Sequence, residues 1–439
     1  MPQSSSAETV TFEPPYHGRD AASLESLPVE LITQIIRELE GDPLALAACA
    51  SLKKSWRTFC LPYLYKRIEM KQPTERKLLA FLIFLEANPK LRRLIKSLLL
   101  NTAAGTDALL ALHSIDLFTR IVACLPNLDC LAIRRIWFKQ FEPPRGAGLF
   151  GTDDRMDRAN PIPLRLLIVN SCLAGPDGTL GELPFLFNVF SLFKLKKLCL
   201  LGLLPPQPAI WDIRHRSRQR ETLSVEHLEI WTPLSSEVGK VVAQELCLRI
   251  EADTIRSLSI VKANRAAVLA AGAIVVMVGQ NLEAFMLDVS KVKYTDFDKE
   301  PNLAECLGLA RCIKLRVLTF YVAVELSSRP SPGHRHCQLL ARILGSPPPA
   351  LRTIVVVLRV KRSSQASPSS ATLSPSQLAE RTDLPAVEKA VLDHSFPHLE
   401  AFNVRVELDG QNIDRKGWLE EVGRLLPRLK NSGLLTIGQ

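Results

Sequence analysis

The sequence predicts an α/β chain in two parts: a small three-helix bundle at the amino terminus, then an irregular α/β solenoid of strand-and-helix units. Three observations predict it. Capped apolar stripes at helical spacing fill residues 24–70. A six-residue apolar pattern recurs ten times after residue 94, and the stretches between its copies repeat apolar residues at i, i+3 and i+4. At 439 residues the chain is long enough for about three ordinary domains or for one repeat array, so length alone decides nothing. A composition of 47% hydrophobic, 23% charged and only 6% aromatic residues is that of a folded chain with an aliphatic core.

Residues 1–23 have neither a basic start nor an apolar run, so they resemble no secretory or mitochondrial leader and are expected to be disordered. An intracellular protein is expected, in the cytoplasm, the nucleus or both. The longest uncharged apolar run, Ala266 to Val278, has thirteen residues, short of the ~20 that a membrane span needs. It is expected to be a buried helix, and no membrane partner is expected. Ten cysteines without a CxxC pair fall mostly within apolar stretches and read as reduced core thiols.

In the first helix, Ser26 is placed to cap and Pro28 to occupy the first turn, where its missing N–H has no intrahelical role. Leu31, Ile32, Ile35, Ile36 and Leu39 then share one face, and Gly41 ends the helix. Asp42 and Pro43 start a second helix that runs to Leu52. A third amphipathic segment surrounds Trp56 in "KKSWRTFCLPYLYKRI". Three helices in fewer than fifty residues enclose little interior, so part of their apolar surface is expected to meet a partner or the rest of the chain.

This segment, "LPVELITQIIRELEGDPLALAACASLKKSWRTFCLPYLYKRI", resembles an F-box, the three-helix module that docks on a Skp-family linker and through it on a cullin. Leu27, Pro28, Leu31, Ile35, Ile36, Leu46, Leu52 and Trp56 stand at motif positions, and the resemblance implies that they bind the linker. Lys53 stands where the family carries a small Cys or Ser.

The recurring hexamer is apolar-x-x-apolar-x-apolar, beginning at residues 95, 128, 164, 195, 225, 255, 282, 315, 351 and 399. Its second slot holds Lys96, Asp129, Arg165, Lys196, Glu226, Arg256, Glu283, Arg316, Arg352 and Glu400, charged in all ten against a chain average of 23%. That agreement predicts one wet position as each strand begins. Helices are expected between hexamers, as in "LLALHSIDLFTRIVACL" from Leu109, "SSEVGKVVAQELCLRI" from Ser235 and "WLEEVGRLLPRL" from Trp418. The segment "LLPRLKNSGLLTIG" is expected to cap the far end.

The array over residues 71–439 resembles the degenerate leucine-rich repeats that follow fungal-type F-boxes. The family's Asn or Cys, three residues past the last apolar slot, is matched only by Cys172, beside Ala103, Ile136, Leu203, Pro233, Ala263, Ser290, Ala323, Arg359 and Glu407. An uneven horseshoe is therefore expected. Pro- and Ser-rich stretches read as loops, among them a flexible insert near residues 361–376, where Ser367 and Ser374 each precede proline as candidate phosphorylation sites.

Candidate chemistry is sparse. "GAGLFG" at Gly146 to Gly151 matches GxGxxG but is flanked by neither strand nor helix pattern, so it cannot offer pyrophosphate a helix start. His334, His336 and Cys337 have no fourth ligand to complete a tetrahedral metal site. No GxSxG elbow or GxxxxGK[ST] loop is present. No enzyme activity, cofactor or metal is expected. The net charge of +10 points toward nucleic acid, and Arg214 to Arg220, "RHRSRQR", is its densest cluster, but without interleaved aromatics it reads as a solvated loop.

Residues between and just after the paired apolar slots alternate onto the concave sheet face. Arg134, Lys197, Glu229, Trp231, Asp288, Tyr321 and Arg405 are thereby candidates for binding a protein substrate. The resemblance implies a non-catalytic substrate receptor of a Skp–cullin–F-box ubiquitin ligase. The rival expectation is a leucine-rich scaffold, or a nucleic-acid-associated protein, without a role in ubiquitination.

Overall fold

The computed structural model describes residues 27–102, 110–112, 115–138, 161–170, 190–201, 222–231, 243–244, 246–290, 292, 303–325, 332–361, 378–394, 396–408 and 415–438. The candidate loop at Gly146 to Gly151, the cluster Arg214 to Arg220, Ser26, Ser367, Ser374, Cys172 and residues 1–23 lie outside them. The chain divides into two compact units, Met1–Lys66 and Arg67–Gln439.

The first unit holds three helices, α1 (Val29–Glu38), α2 (Pro43–Leu52) and α3 (Lys54–Leu64). Pro28 lies one residue ahead of α1, and its carbonyl accepts from the Leu31 and Ile32 amides at 3.0 and 3.1 Å. Asp42 caps α2 as expected, its Oδ1 accepting from the Leu44 and Ala45 amides at 3.0 Å each. A core of Ile32, Ile36, Leu46, Trp56 and Cys60 joins the three helices. The third helix stops at Leu64, earlier than the sequence pattern suggests, and Arg67–Lys71 enters the sheet of the second unit as strand β1.

The second unit is built on a parallel sheet of twelve strands: β1, β2 (Ser97–Asn101), β4 (Cys130–Arg134), β6 (Ile162–Asn170), β7 (Phe193–Leu201), β8 (Val225–Trp231), β9 (Ser257–Val261), β10 (Ala284–Asp288), β11 (Val317–Glu325), β12 (Thr353–Lys361), β13 (Ala401–Leu408) and β14 (Leu435–Gly438). Two short strands, β3 (Leu110–Leu112) and β5 (Ile136–Phe138), pair separately. Every strand of the large sheet lies beside its neighbours in chain order, the topology of an α/β solenoid.

Each of the ten hexamers supplies one of these strands, and their middle apolar slots form a continuous row. Leu98, Leu131, Leu167, Leu198, Leu228, Leu258, Phe285, Leu318, Ile354 and Phe402 stand in register from β2 to β13, and all are buried. The third slots are buried as well. The charged second slot is exposed in nine of ten repeats, Glu283 alone being half-buried. The physical reason is visible in the backbone. In six of the nine steps the wet residue's amide donates to the carbonyl of its counterpart one repeat earlier, as from Arg256 to Glu226, Glu283 to Arg256, Arg316 to Glu283 and Arg352 to Arg316, at 2.8–2.9 Å. This stacks the side chains in a file at the sheet edge. Seven of the nine adjacent pairs are opposite in sign, and Arg256–Glu283 (3.6 Å) and Arg352–Glu400 (3.0 Å) are in ion-pair contact.

Helices of this unit include α4 (Glu75–Ala87), α5 (Pro89–Arg92), α6 (Ile115–Ala123), α7 (Arg265–Val278), α8 (Leu303–Leu307), α9 (Pro332–Leu344), α10 (Leu378–Arg381), α11 (Leu384–Asp393), α12 (Arg415–Leu425) and α13 (Pro427–Asn431). The expected helix from Leu109 begins instead as β3 and turns helical only at Ile115. Of the segment from Ser235, residues 243–244 and 246–249 are described as helical. Helix α7 contains the thirteen-residue apolar run, started by Asn264, whose side chain accepts from the Ala267 amide at 2.9 Å. It packs so tightly on α8 that a Cβ at Gly272 would lie 2.0 Å from the Cys306 carbonyl oxygen. Gly272→Ala is therefore expected to cost about 1–3 kcal/mol by overpacking against backbone, read as a lowered urea midpoint. Among the described residues no helix is long and apolar enough to cross a membrane.

Strand exits are uneven, as expected from the missing asparagines. After β1, β4 and β9 the chain leaves through left-handed residues Gln72, Arg135 and Lys262, with φ of 51°, 55° and 53°. In contrast β11, β12 and β13 continue straight through Ala323, Arg359 and Glu407.

Candidate functional site

Two surfaces stand out, one on each unit. On the first, the eight motif positions divide by burial. Ile36, Leu46 and Trp56 point into the bundle's own core and so cannot themselves touch a partner; they hold the helices in place. Leu27 is half-buried. Pro28, Leu31 and Ile35 follow one line along α1 and are exposed, the two aliphatic side chains by 46% and 39%. On α2, Leu52 is 65% exposed and Leu44, eight residues earlier on the same line, 83%.

Helix α2, "PLALAACASL", is apolar on nearly every side, a pattern that ordinarily belongs to a helix enclosed all round. Only Leu46 is buried. Lys53, the departure from the motif, is exposed between α2 and α3, and its charge has open access to water. Leu44 and Val29 lie outside the motif positions, and their exposure was not legible from apolar spacing.

The second surface is the other face of the sheet, which is itself covered in part: Leu99, Ala132, Cys199, Val261, Val355 and Val357 on it are buried. All seven candidate residues fall on it by strand register. Asn101, Arg134 and Asn170 stand side by side on β2, β4 and β6, and Leu201 and Trp231 continue that row. Asp288, Tyr321, Val357 and Arg405 align on β10 to β13.

Charge on this face is paired in its later half. Glu229 accepts from the Trp231 indole N–H and forms an ion pair with Lys197, while the Lys262 ammonium lies 5.5 Å above the Trp231 ring. Asp288 is buried and not open to a partner. One of its oxygens accepts from the Ser290 amide at 3.0 Å, and the other pairs with Arg359. The Arg359 guanidinium also binds Glu407, Nε to Oε2 at 2.7 Å, and stacks 4.1 Å from the Tyr321 ring centre. Burial works against the Arg359 charge, but the bonds to Glu407 and Asp288 outweigh it and hold its pKa above the usual value. Burial, aided by Glu407, pushes the Tyr321 phenol up. Arg405 is exposed.

Arg359 is the residue that sequence reasoning missed. In the sequence it stands at a ladder position, yet the two-residue alternation that places Val357 on this face places Arg359 there too. Arg134 differs from these cations. Its Nε is buried without a hydrogen-bond partner among the described residues, which ordinarily costs ~1–3 kcal/mol.

Behind β11, His334, His336 and Cys337 lie on α9, and the described residues include no group of three possible metal ligands. His336 is buried, with Nδ1 accepting from the Ala323 amide at 3.4 Å. Burial lowers its pKa to about 4 from an ordinary 6.5, against the opposing influence of a bond to the Val292 backbone and the charge of Asp288. The Cys337 thiol is pushed up to about 12, chiefly by burial, as a reduced core thiol should be. Unfolded His336 takes a proton below pH 6.5 whereas the folded residue resists until about pH 4, so its stabilising contribution is full above 6.5 and lost on descending through that window. Unfolding free energy is expected to fall by about 3 kcal/mol across it on this account, and His336→Gln should flatten the slope in urea titrations between pH 7 and 4.

No family model matches the chain, and a search of curated proteins finds no match.

Proposed function

We propose that the chain is the non-catalytic substrate receptor of a Skp–cullin–F-box ubiquitin ligase, with an F-box at residues 24–70 and a leucine-rich-repeat array beyond it. The observation that carries this reading is the exposed apolar surface of α1 and α2, on a unit whose sequence fits the F-box motif and whose own core is already complete. Uncovered leucines on a helix without a polar side are stable in water only at a cost, and a partner's apolar groove removes that cost. The exposed residues of the sheet face then select the protein to be ubiquitinated. The mechanism is proximity: substrate and charged conjugating enzyme are held in one assembly at raised effective concentration, and the reacting cysteine comes from another chain.

Co-purification tests it. The intact chain, expressed with a Skp-family linker, should retain the linker through gel filtration. A chain that elutes without it at micromolar concentration overturns the proposal and leaves the scaffold reading.

A further inference from the structure

We infer that the outer edge of β14 pairs with the same edge of a second copy of this chain, antiparallel and around a two-fold axis at Thr436, to give a symmetric dimer. The inference depends neither on what docks on the amino-terminal helices nor on what the sheet face receives.

The backbone shows which groups are free to pair. Strand β14 closes the order of the large sheet and is bonded only to β13. The Phe402 amide donates to the Leu434 carbonyl at 2.8 Å, so the polar groups of Leu434 and, two residues on, Thr436 point toward β13. Alternation along the strand then turns the amides and carbonyls of Leu435 and Ile437 outward. None of those four groups has a partner among the described residues.

The side chains at this edge are also short of a neighbour. Leu435 and Ile437 continue the rows of Phe402 and Val404, which are fully buried, yet both are only half-buried themselves. Inner members of these rows have an apolar side chain on each flank. Those of β14 have one on a single flank.

The two edges of the sheet are not alike. Strand β1 sets Arg67, Glu69 and Lys71 on alternate residues, all exposed, and charge of this kind guards an edge against pairing. From Asn431 to Gly438 there is neither a charge nor a proline. The outer edge of β14 is therefore unguarded.

Its own sequence supplies a fitting partner. Residues opposite each other in an antiparallel pair share a face, so Leu435, on the helix side, must meet another helix-side residue. Centring the pair on Thr436 sets Leu435 against the second copy's Ile437, and Ile437 against the second copy's Leu435. The outward groups then exchange four N–H···O bonds, the aliphatic side chains cover one another, and Thr436 meets Thr436 on the open face, with no like charges opposed. Such a contact is isologous and closes at two copies. Pairing with β1 of another copy would instead repeat without end, and would seat three charged residues beside uncharged ones.

The test is sedimentation velocity of the full chain from about 1 to 200 μM, where a monomer–dimer equilibrium is expected. A dissociation constant of roughly 10–100 μM is expected, because four hydrogen bonds and two aliphatic pairs make a small contact. Thr436 is exposed, so substitution there should leave the melting temperature unchanged. Thr436→Lys and Thr436→Glu should each weaken self-association about threefold or more, and an equimolar mixture of the two should restore it. Thr436→Cys treated with oxidised glutathione should form a covalent dimer beyond the wild-type background, since opposed residues of this kind lie ~4.5 Å apart between Cα atoms, within reach of a disulfide. Asn403→Cys, in the same row one strand further in, should not. The inference fails if wild type stays monomeric throughout, if assembly grows past two copies, if the Lys and Glu variants associate as wild type does, or if Thr436→Cys yields no more covalent dimer than Asn403→Cys.

Discussion

Leu31→Asp combined with Leu52→Asp should abolish retention of a Skp-family linker while leaving the melting temperature of the chain nearly unchanged. Both leucines are substantially exposed, so neither contributes much to the folded chain's own core. In a docked complex each would bury an apolar side chain worth ~1.5–3 kcal/mol, and an aspartate in its place adds the cost of burying charge. Two such changes weaken binding by ~1,000-fold or more. Trp56→Ala is a poorer probe. It removes the centre of a core of five residues and is expected to unfold the bundle at a cost of ~3–5 kcal/mol, so loss of the linker would follow whether or not Trp56 is near the interface. Retention of the linker by the double aspartate variant, measured by gel filtration and calorimetry, would remove this face from the interface.

Arg359→Met should destabilise the second unit by ~3–5 kcal/mol, because it strands the Asp288 carboxylate, 1% exposed, without its cation. The partner double variant, Asp288→Asn with Arg359→Met, should recover much of that loss, since an amide in the same place carries no charge to neutralise. Glu407→Gln is the internal control. Its carboxylate is half in water, and its loss is expected to cost under ~1 kcal/mol. Urea unfolding of wild type, the single variants Arg359→Met and Asp288→Asn, and the double variant gives the coupling energy directly, and additive effects of the two single changes would show that Arg359 and Asp288 do not act as a pair.

How much of this was legible in the sequence depends on which force set each feature. The inner strands were legible because each is buried on its helix side, and burial imprints an apolar period on the chain; all ten hexamers became strands. The edge strands were not. "RIEMK" and "LTIG" each pair with one neighbour only and have no fully buried residue, so β1 was read as the tail of a helix and β14 only as part of a cap. The surface of α2 was invisible for the opposite reason. A helix that is apolar on nearly all sides gives no sign of which side is covered, and so Leu46 and Leu44 could not be told apart. Arg359 escaped because its partners, 71 and 48 residues away, are brought to it by strand pairing alone.

The file of charged residues at the strand starts has one more consequence. A solenoid of interchangeable units is easily shortened or lengthened by duplication, but here excising the unit of Arg256 would seat Glu226 against Glu283, and excising that of Glu283 would seat Arg256 against Arg316. Each such join would add a like-charge neighbour at a cost of ~0.2–1 kcal/mol to the two already present, Arg165–Lys196 and Arg316–Arg352, so the charged file biases the order of units that the uniform aliphatic interior leaves open.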